Sequence, residues 1–215
     1  DKAREVLEKN IASAQGPTRA RIMLGAMEYQ LLGQSESAIA RLSAVSADVD
    51  GQETGDRVLA MIHLAMAQRL NHQSTEALKT LDDALALDSG SPDAHFQRFW
   101  TLLAVGQLGE AREELGLFQG KLKRPVLESL SEGRLLFQEK KFQEAFRVLA
   151  KAVEADPRRP DLMLLAGAAA AQAKFEMLAY DHALKRTLKV DPYQWSPQPL
   201  LSTTFLTPAE VLGVA

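Results

Sequence analysis

The chain has 215 residues, of which 46% are hydrophobic, 25% charged and 6% aromatic, with a formal net charge of −3 and no cysteine. That length and apolar share suffice to bury a core, as one long domain or two. The charge balance lacks the excess of Lys and Arg with which nucleic-acid and anionic-membrane binders hold phosphate. The lack of cysteine excludes disulfides and thiolate metal sites, and the longest apolar run, residues 162–171, is far shorter than the roughly 20 residues that span a bilayer.

Ala, Leu, Gln and Glu dominate, and all are good helix formers, so the chain is expected to be all-α. It opens at Asp1, without Met, inside the helical pattern Ala3-Arg4-Glu5-Val6-Leu7, which reads as an excised fragment or a mature form. Residues 1–15 are expected to make one helix, half of a repeating unit. The first full unit, 17–50, carries Ala26, Tyr29, Gly33, Ala38 and Leu42, and the second, 56–90, carries Leu64-Ala65, Ala77, Leu81 and Ala84. The interval from Ala38 to Ala77 is 39 residues, so the loop Ser46 to Gly55 holds about five extra. From there a column of small and apolar residues returns every 34 positions: Ala77, Ala111 and Ala145, then Leu81, Leu115 and Leu149, then Ala84, Phe118 and Ala152. A fixed period of this length marks one supersecondary unit stacked on itself.

In the third unit, 92–124, Ser91 supplies an N-cap and Pro92 an N1 proline for a helix to Leu103. A turn at 105–109 then leads to a second helix, Glu110 to Phe118. The fourth, 126–158, runs Leu127 to Gln138, turns at Lys140-Lys141 and continues from Gln143 to Ala155, where Asp156-Pro157 stops it. The fifth, 160–192, has Gly167, Lys174, Leu184 and Asp191-Pro192, with one residue more than the period. Small residues are needed where paired helices cross, and Gly133 and Gly167 are expected to face Ala145 and Ala179 or its neighbour. Beyond Pro192 the period is lost. Residues 193–207 hold Pro197 and Pro199 and read as extended, with a short helix from Ala209 to Val214. Trp195, Leu200, Leu201, Phe205 and Leu206 make this tail too apolar for an ordinary solvated end, so it is expected to fold back, sealing the last unit or lying in a groove.

The order Gly133, Leu136, Ala145, Leu149, Ala152 and Pro157, with its partial copies in the other units, resembles the tetratricopeptide repeat. That resemblance covers roughly residues 1–192. It implies a right-handed α-α superhelix of about five repeats, with an N-terminal half-repeat and a non-repeat tail, whose first helices line a concave side. Carried onto this chain, the family's groove positions are Met23, Met27, Ile62, Met66, Phe96, Trp100, Leu103, Leu130, Arg134 and Phe137. Aromatics and Arg anchor interfaces, and Met adapts to its ligand. Each can equally fill a core, and Phe99 is expected to do so. The family's carboxylate clamp of Lys, Arg and Asn is replaced here by mostly apolar residues, so that activity is not implied.

Other signals are weak. Asp48-Val49-Asp50-Gly51 lacks the acids a calcium loop needs at its first and twelfth positions, filled here by Ser46 and Arg57. The run from Gly116 to Lys121 is one residue short of a phosphate loop. His63, His72, His95 and His182 have no ligand spacing, and no Ser-His-Asp constellation can be assembled. Glu110, Glu113 and Glu114 read as a solvated helix face, and Lys121-Leu122-Lys123-Arg124 is the single basic cluster. No catalytic residue, metal or cofactor is expected. The expected function is a non-enzymatic scaffold or adaptor that binds a peptide or helix of a protein partner in an apolar groove, with no nucleic acid and no membrane insertion. Alternatives are a targeting module of a larger enzyme, or a part of a bacterial secretion, pilus or motility machine. Homo-oligomerisation is left open. The expected compartment is the cytoplasm, with the periplasm an alternative.

Overall fold

A turn in the left-handed backbone region closes each of four helices and sends the chain into the next. The computed structural model describes residues 5, 18–48 and 53–173, and among them lie nine helices and no strand. They are α1 Thr18–Leu31, α2 Ser35–Ala47, α3 Thr54–Leu70, α4 Ser74–Leu87, α5 Pro92–Ala104, α6 Leu108–Phe118, α7 Pro125–Gln138, α8 Phe142–Ala155 and α9 Pro160–Gln172. Just after α1, α3, α5 and α7 stand Gly33, His72, Gly106 and Lys140, with φ of 66°, 58°, 78° and 61°. A residue of this kind lets the next amide reach back to a carbonyl left open by the helix end. Gln73 N–H thus donates to the Gln68 carbonyl at 2.8 Å, and Lys141 N–H to that of Leu136 at 2.9 Å. Glycine accepts this conformation freely, whereas His72 and Lys140 carry a Cβ that strains it.

The chain divides into two compact units, one ending at Gly106 and the other beginning at Gln107. In the first, α1 packs on α2, α2 on α3, α3 on α4 and α4 on α5, while α1, α3 and α5 also lie beside one another. In the second, α6 packs on α7, α7 on α8 and α8 on α9, with α9 beside α7. α1–α2, α3–α4 and α7–α8 are thus helical pairs, and α5 and α9 hold the first-helix place of the sequence repeat. Ser91 caps α5 by accepting from Ala94 N–H, with Pro92 in its first turn. Helix α5 runs one residue past Leu103, and α7 begins at Pro125 rather than Leu127.

The second-helix column is part of the core. Ala38, Leu42, Ala77, Leu81, Ala84, Ala111, Leu115, Phe118, Ala145, Leu149 and Ala152 are all buried. The small residues of the first helices meet its leucines. A Cβ placed on Gly133 would stand 2.4 Å from Leu149 Cγ, and one on Gly25 would stand 2.7 Å from Leu42 Cγ. Ala65 clusters with Ala77 and Leu81 in the same way. Gly133 is thus set against Leu149 rather than Ala145, because the branched leucine end needs the room. In α1 that place belongs to Gly25, one residue before Ala26. The expected partner of Gly167 lies outside the described residues, as do the helix 1–15 apart from Glu5, residues 174–192, and the tail with Trp195, Leu200, Leu201, Phe205 and Leu206.

Polar groups tie the pairs. Glu28, buried on α1, accepts from Arg41 Nη2 on α2 at 2.9 Å and from its Nε at 3.1 Å. Losing one partner of such a pair strands a charge in the interior. Thr80 on α4 donates to Gln68 on α3 at 2.9 Å.

Gly133→Ala should lower stability by about 1–2 kcal/mol, because overpacking against Leu149 outweighs the helix-propensity gain of about 1 kcal/mol. Urea unfolding measures this, and Leu149→Ala in the same chain should remove most of the added loss. His72→Gly should raise the melting temperature, since it relieves left-handed strain of about 1 kcal/mol; a fall would mean that the His72 side chain outweighs its backbone cost.

Candidate partner-binding face

The first helices place the ten expected binding residues, and neighbours decide how far each is covered. On α1, Met23 is 59% exposed and Met27 is half-buried. On α3 and α5, Ile62, Met66, Phe96, Trp100 and Leu103 are buried. In the second unit Leu130 and Arg134 are buried on α7, and Phe137 is half-buried, its ring 5.2 Å from that of Phe142. Met23 and Ile62 hold equivalent places in the repeat, as do Met27 and Met66, yet their exposures differ. Helix α3 is flanked by α1 and α5, whereas α1 has α3 alone beside it among the described first helices.

Trp100 is built into an aromatic cluster. Its ring meets Phe96 edge-on at 6.1 Å and Phe99 edge-on at 5.2 Å. Such edge-to-face pairs add to the gain from burial. Phe99 is fully buried, as core residues are. Trp100 Nε1 and Gln97 Oε1 are enclosed with no hydrogen-bond partner among the described residues, an uncommon state for buried polar atoms.

The most accessible apolar feature of this side is on α1, where Met23, Met27 and Leu31 follow at i, i+4 and i+8 on one stripe. Leu31 is 55% exposed, and on the neighbouring α3 Leu59 is 38% exposed. Arg19, on the same face of α1, donates through Nε to Asp56 of α3 at 2.8 Å. Leu31 and Leu59 did not emerge from the repeat pattern, because an exposed leucine has the same helical spacing as a buried one.

A polar cluster also lies between α1 and α3. Tyr29 Oη is 2.9 Å from His63 Nδ1, accepts from Gln30 Nε2 at 2.9 Å and lies 3.5 Å from Met66 Sδ. Burial pushes the Tyr29 hydroxyl above its ordinary range, against the lowering effects of Gln30 and Arg69. Burial likewise holds the His63 imidazole below its ordinary range, with Asp93 acting the other way. Periodicity could not pair the two residues, because the longer interval before Ala77 puts them at different places in the repeat.

A separate polar cleft of about 470 Å³ in the second unit is lined by Lys140, Lys141, Glu144 and Arg147 of the α8 start, with Gln172 and Ala173 of the α9 end. It contains none of the ten expected residues, and Lys141 already pairs with Glu139 at 2.9 Å. Among the described residues no group of three or more His, Asp or Glu is placed to hold a metal ion. Nor is any described helix long and apolar enough to cross a membrane.

Neither a protein-family model nor a curated protein sequence matches the chain. Solved structures do. Pseudomonas aeruginosa pilF matches with 19% identity and a TM-score of 0.68, over 92% of this chain and 85% of that one. The nearly identical TPR-like repeats of a Podosopora anserina kinesin light chain match with 21% identity and a TM-score of 0.65, over 83% and 97%. YrrB, a TPR protein with an unusual peptide-binding site, matches with 18% identity and a TM-score of 0.57, over 89% and 95%. With its helix pairs and buried small-residue crossings, the chain has the all-α tetratricopeptide-repeat fold.

Phe96→Ala and Trp100→Ala should each cost about 3–5 kcal/mol, the usual loss for a buried aromatic. Met23→Ala should change stability by about 0.5 kcal/mol or less, as at exposed sites. Chemical denaturation followed by circular dichroism separates the two classes, and near-zero losses at Phe96 and Trp100 would make them surface residues.

Proposed function

We propose that this protein is a non-enzymatic interaction scaffold that binds a peptide or helix of a protein partner along its first helices. The observation that carries the reading is the Met23-Met27-Leu31 stripe on α1, an accessible apolar surface on a first helix that has α3 beside it. Met is suited to such a surface because its unbranched, polarizable side chain repacks against different ligands. An amphipathic helix or short apolar peptide laid on the stripe would bury side chains spaced at i, i+4 and i+8, the common way in which grooves read helices. The fold likeness to YrrB, described as having a peptide-binding site, supports the same class of ligand.

On this reading Met23 and Met27 meet the partner first, and Ile62, Met66, Phe96, Trp100 and Leu103 form the floor that holds α1, α3 and α5 in place. In the second unit Leu130, Arg134 and Phe137 hold the corresponding first-helix places on α7. The array comprises units of about 17–50, 56–90, 92–124, 126–158 and 160–192, preceded by the half-repeat 1–15 and followed by the tail 193–215. The partner is a protein, and the cytoplasm is the proposed compartment.

Peptides selected on the full chain from a displayed random library provide the test. Met23→Glu with Met27→Glu should weaken the selected peptides at least tenfold, about 1.4 kcal/mol, while circular dichroism stays that of the parent. Leu117→Glu, at an exposed site on α6, should leave binding unchanged. The reverse pattern would move the binding face off α1.

A further inference from the structure

We propose that the Tyr29–His63 contact is an acid-released latch between α1 and α3, closed while the imidazole is neutral and opened when it takes up a proton. Tyr29 is 4% exposed, so its hydroxyl must find partners inside the protein. It has one hydrogen to give and two acceptors within reach, His63 Nδ1 at 2.9 Å and Met66 Sδ at 3.5 Å. Imidazole nitrogen is the stronger acceptor, and thioether sulfur a weak one. With His63 neutral and its hydrogen on Nε2, the hydroxyl donates to Nδ1 across the gap between the helices. Gln30 Nε2 meanwhile donates into the hydroxyl oxygen.

Protonation reverses these roles. Nδ1 becomes a donor, the Tyr29 oxygen must accept from both Gln30 and His63, and its own hydrogen is left with the sulfur. The new charge sits on a half-buried ring. Among the described residues that pack around it, α1 offers the neutral Tyr29 and Gln30. Asp93 in the first turn of α5 bears on the ring and favours its charge, while Arg69 lies further along α3 towards Tyr29. Burial outweighs Asp93, so the docked ring holds its proton less readily than a solvated histidine, whose ordinary value is about 6.5. The state with α1 undocked therefore binds more protons as the solution turns acid. Docking is at full strength above about pH 6.5 and is lost as pH falls through the lowered value of the docked ring.

The latch has a consequence for the face described above, and this clause rests on the proposed function: α1 presents Met23 and Met27 in register with α3 only while it is docked. The latch itself can be tested without any ligand. Hydrogen exchange of α1 amides in the full chain, corrected for the intrinsic pH dependence of exchange, should show protection falling several-fold from pH 7.5 to 5.5, towards the ceiling of about tenfold that one titrating imidazole allows. Amides of α7 and α8 should keep theirs. His63→Gln, which has nothing to titrate, should make α1 protection independent of pH. Tyr29→Phe, the second variant should His63→Gln fail to fold, should lower α1 protection already at pH 7.5 by removing the hydroxyl that bonds Nδ1, and unchanged α1 protection at pH 7.5 in that variant would overturn the latch as well. Constant α1 protection in the parent chain, or the same pH response after His63→Gln, would overturn the latch while leaving the peptide-binding reading to its own test.

Discussion

Everything in this fold depends on how closely the two helices of a pair can approach. At Gly25 and Leu42, and again at Gly133 and Leu149, the leucine occupies the space where a Cβ would be. Ala65 and Leu81 make the same crossing with one methyl group in between. Close approach lets the leucine be buried from all sides, worth roughly 1.5–3 kcal/mol for each side chain. It also sets how far apart the outer faces of a pair stand, and so where the next pair can seat its own small residues. The alanines of α2 and α4 in the first unit, and those of α6 and α8 in the second, are buried at such crossings.

Apolar packing of this kind is tolerant of register, since one methyl resembles another. Buried polar groups are not. The Glu28–Arg41 pair accepts one alignment of α1 on α2, because any slip leaves a carboxylate in the interior. Tyr29 performs the same service between α1 and α3, with the difference that its partner titrates. A bond made to the only side chain with an ordinary pKa near neutrality joins the stability of a helix contact to the acidity of the solution.

The proposed binding face of each unit follows from the same geometry. Because second helices bear the spacing, the first helices are free to vary. Position by position they carry Met23, Ile62, Phe96 and Leu130, or Met27, Met66, Trp100 and Arg134. Size and shape change while the place in the repeat does not. That is the arrangement by which a repeated scaffold can present different ligands with different surfaces.

The all-α fold, the repeat and the Ser91-Pro92 helix start were legible in the chain because they rest on interactions close in sequence: helix propensity, a capping hydroxyl, and a column of small residues at constant interval. Which face of each first helix remains open was not. Met23 and Ile62 have the same place in the repeat and both are apolar, yet one is exposed while the other is buried. That distinction is made by the helices flanking α3, which local patterning does not encode. The same holds for Gly133, whose partner Leu149 was chosen by the crossing point of two helix axes. It holds too for Tyr29 and His63, brought together across an interval that breaks the period. Sequence alone determined the repeating unit; only tertiary packing decided which of its equivalent positions face solvent, because exposure belongs to the neighbours and not to the residue.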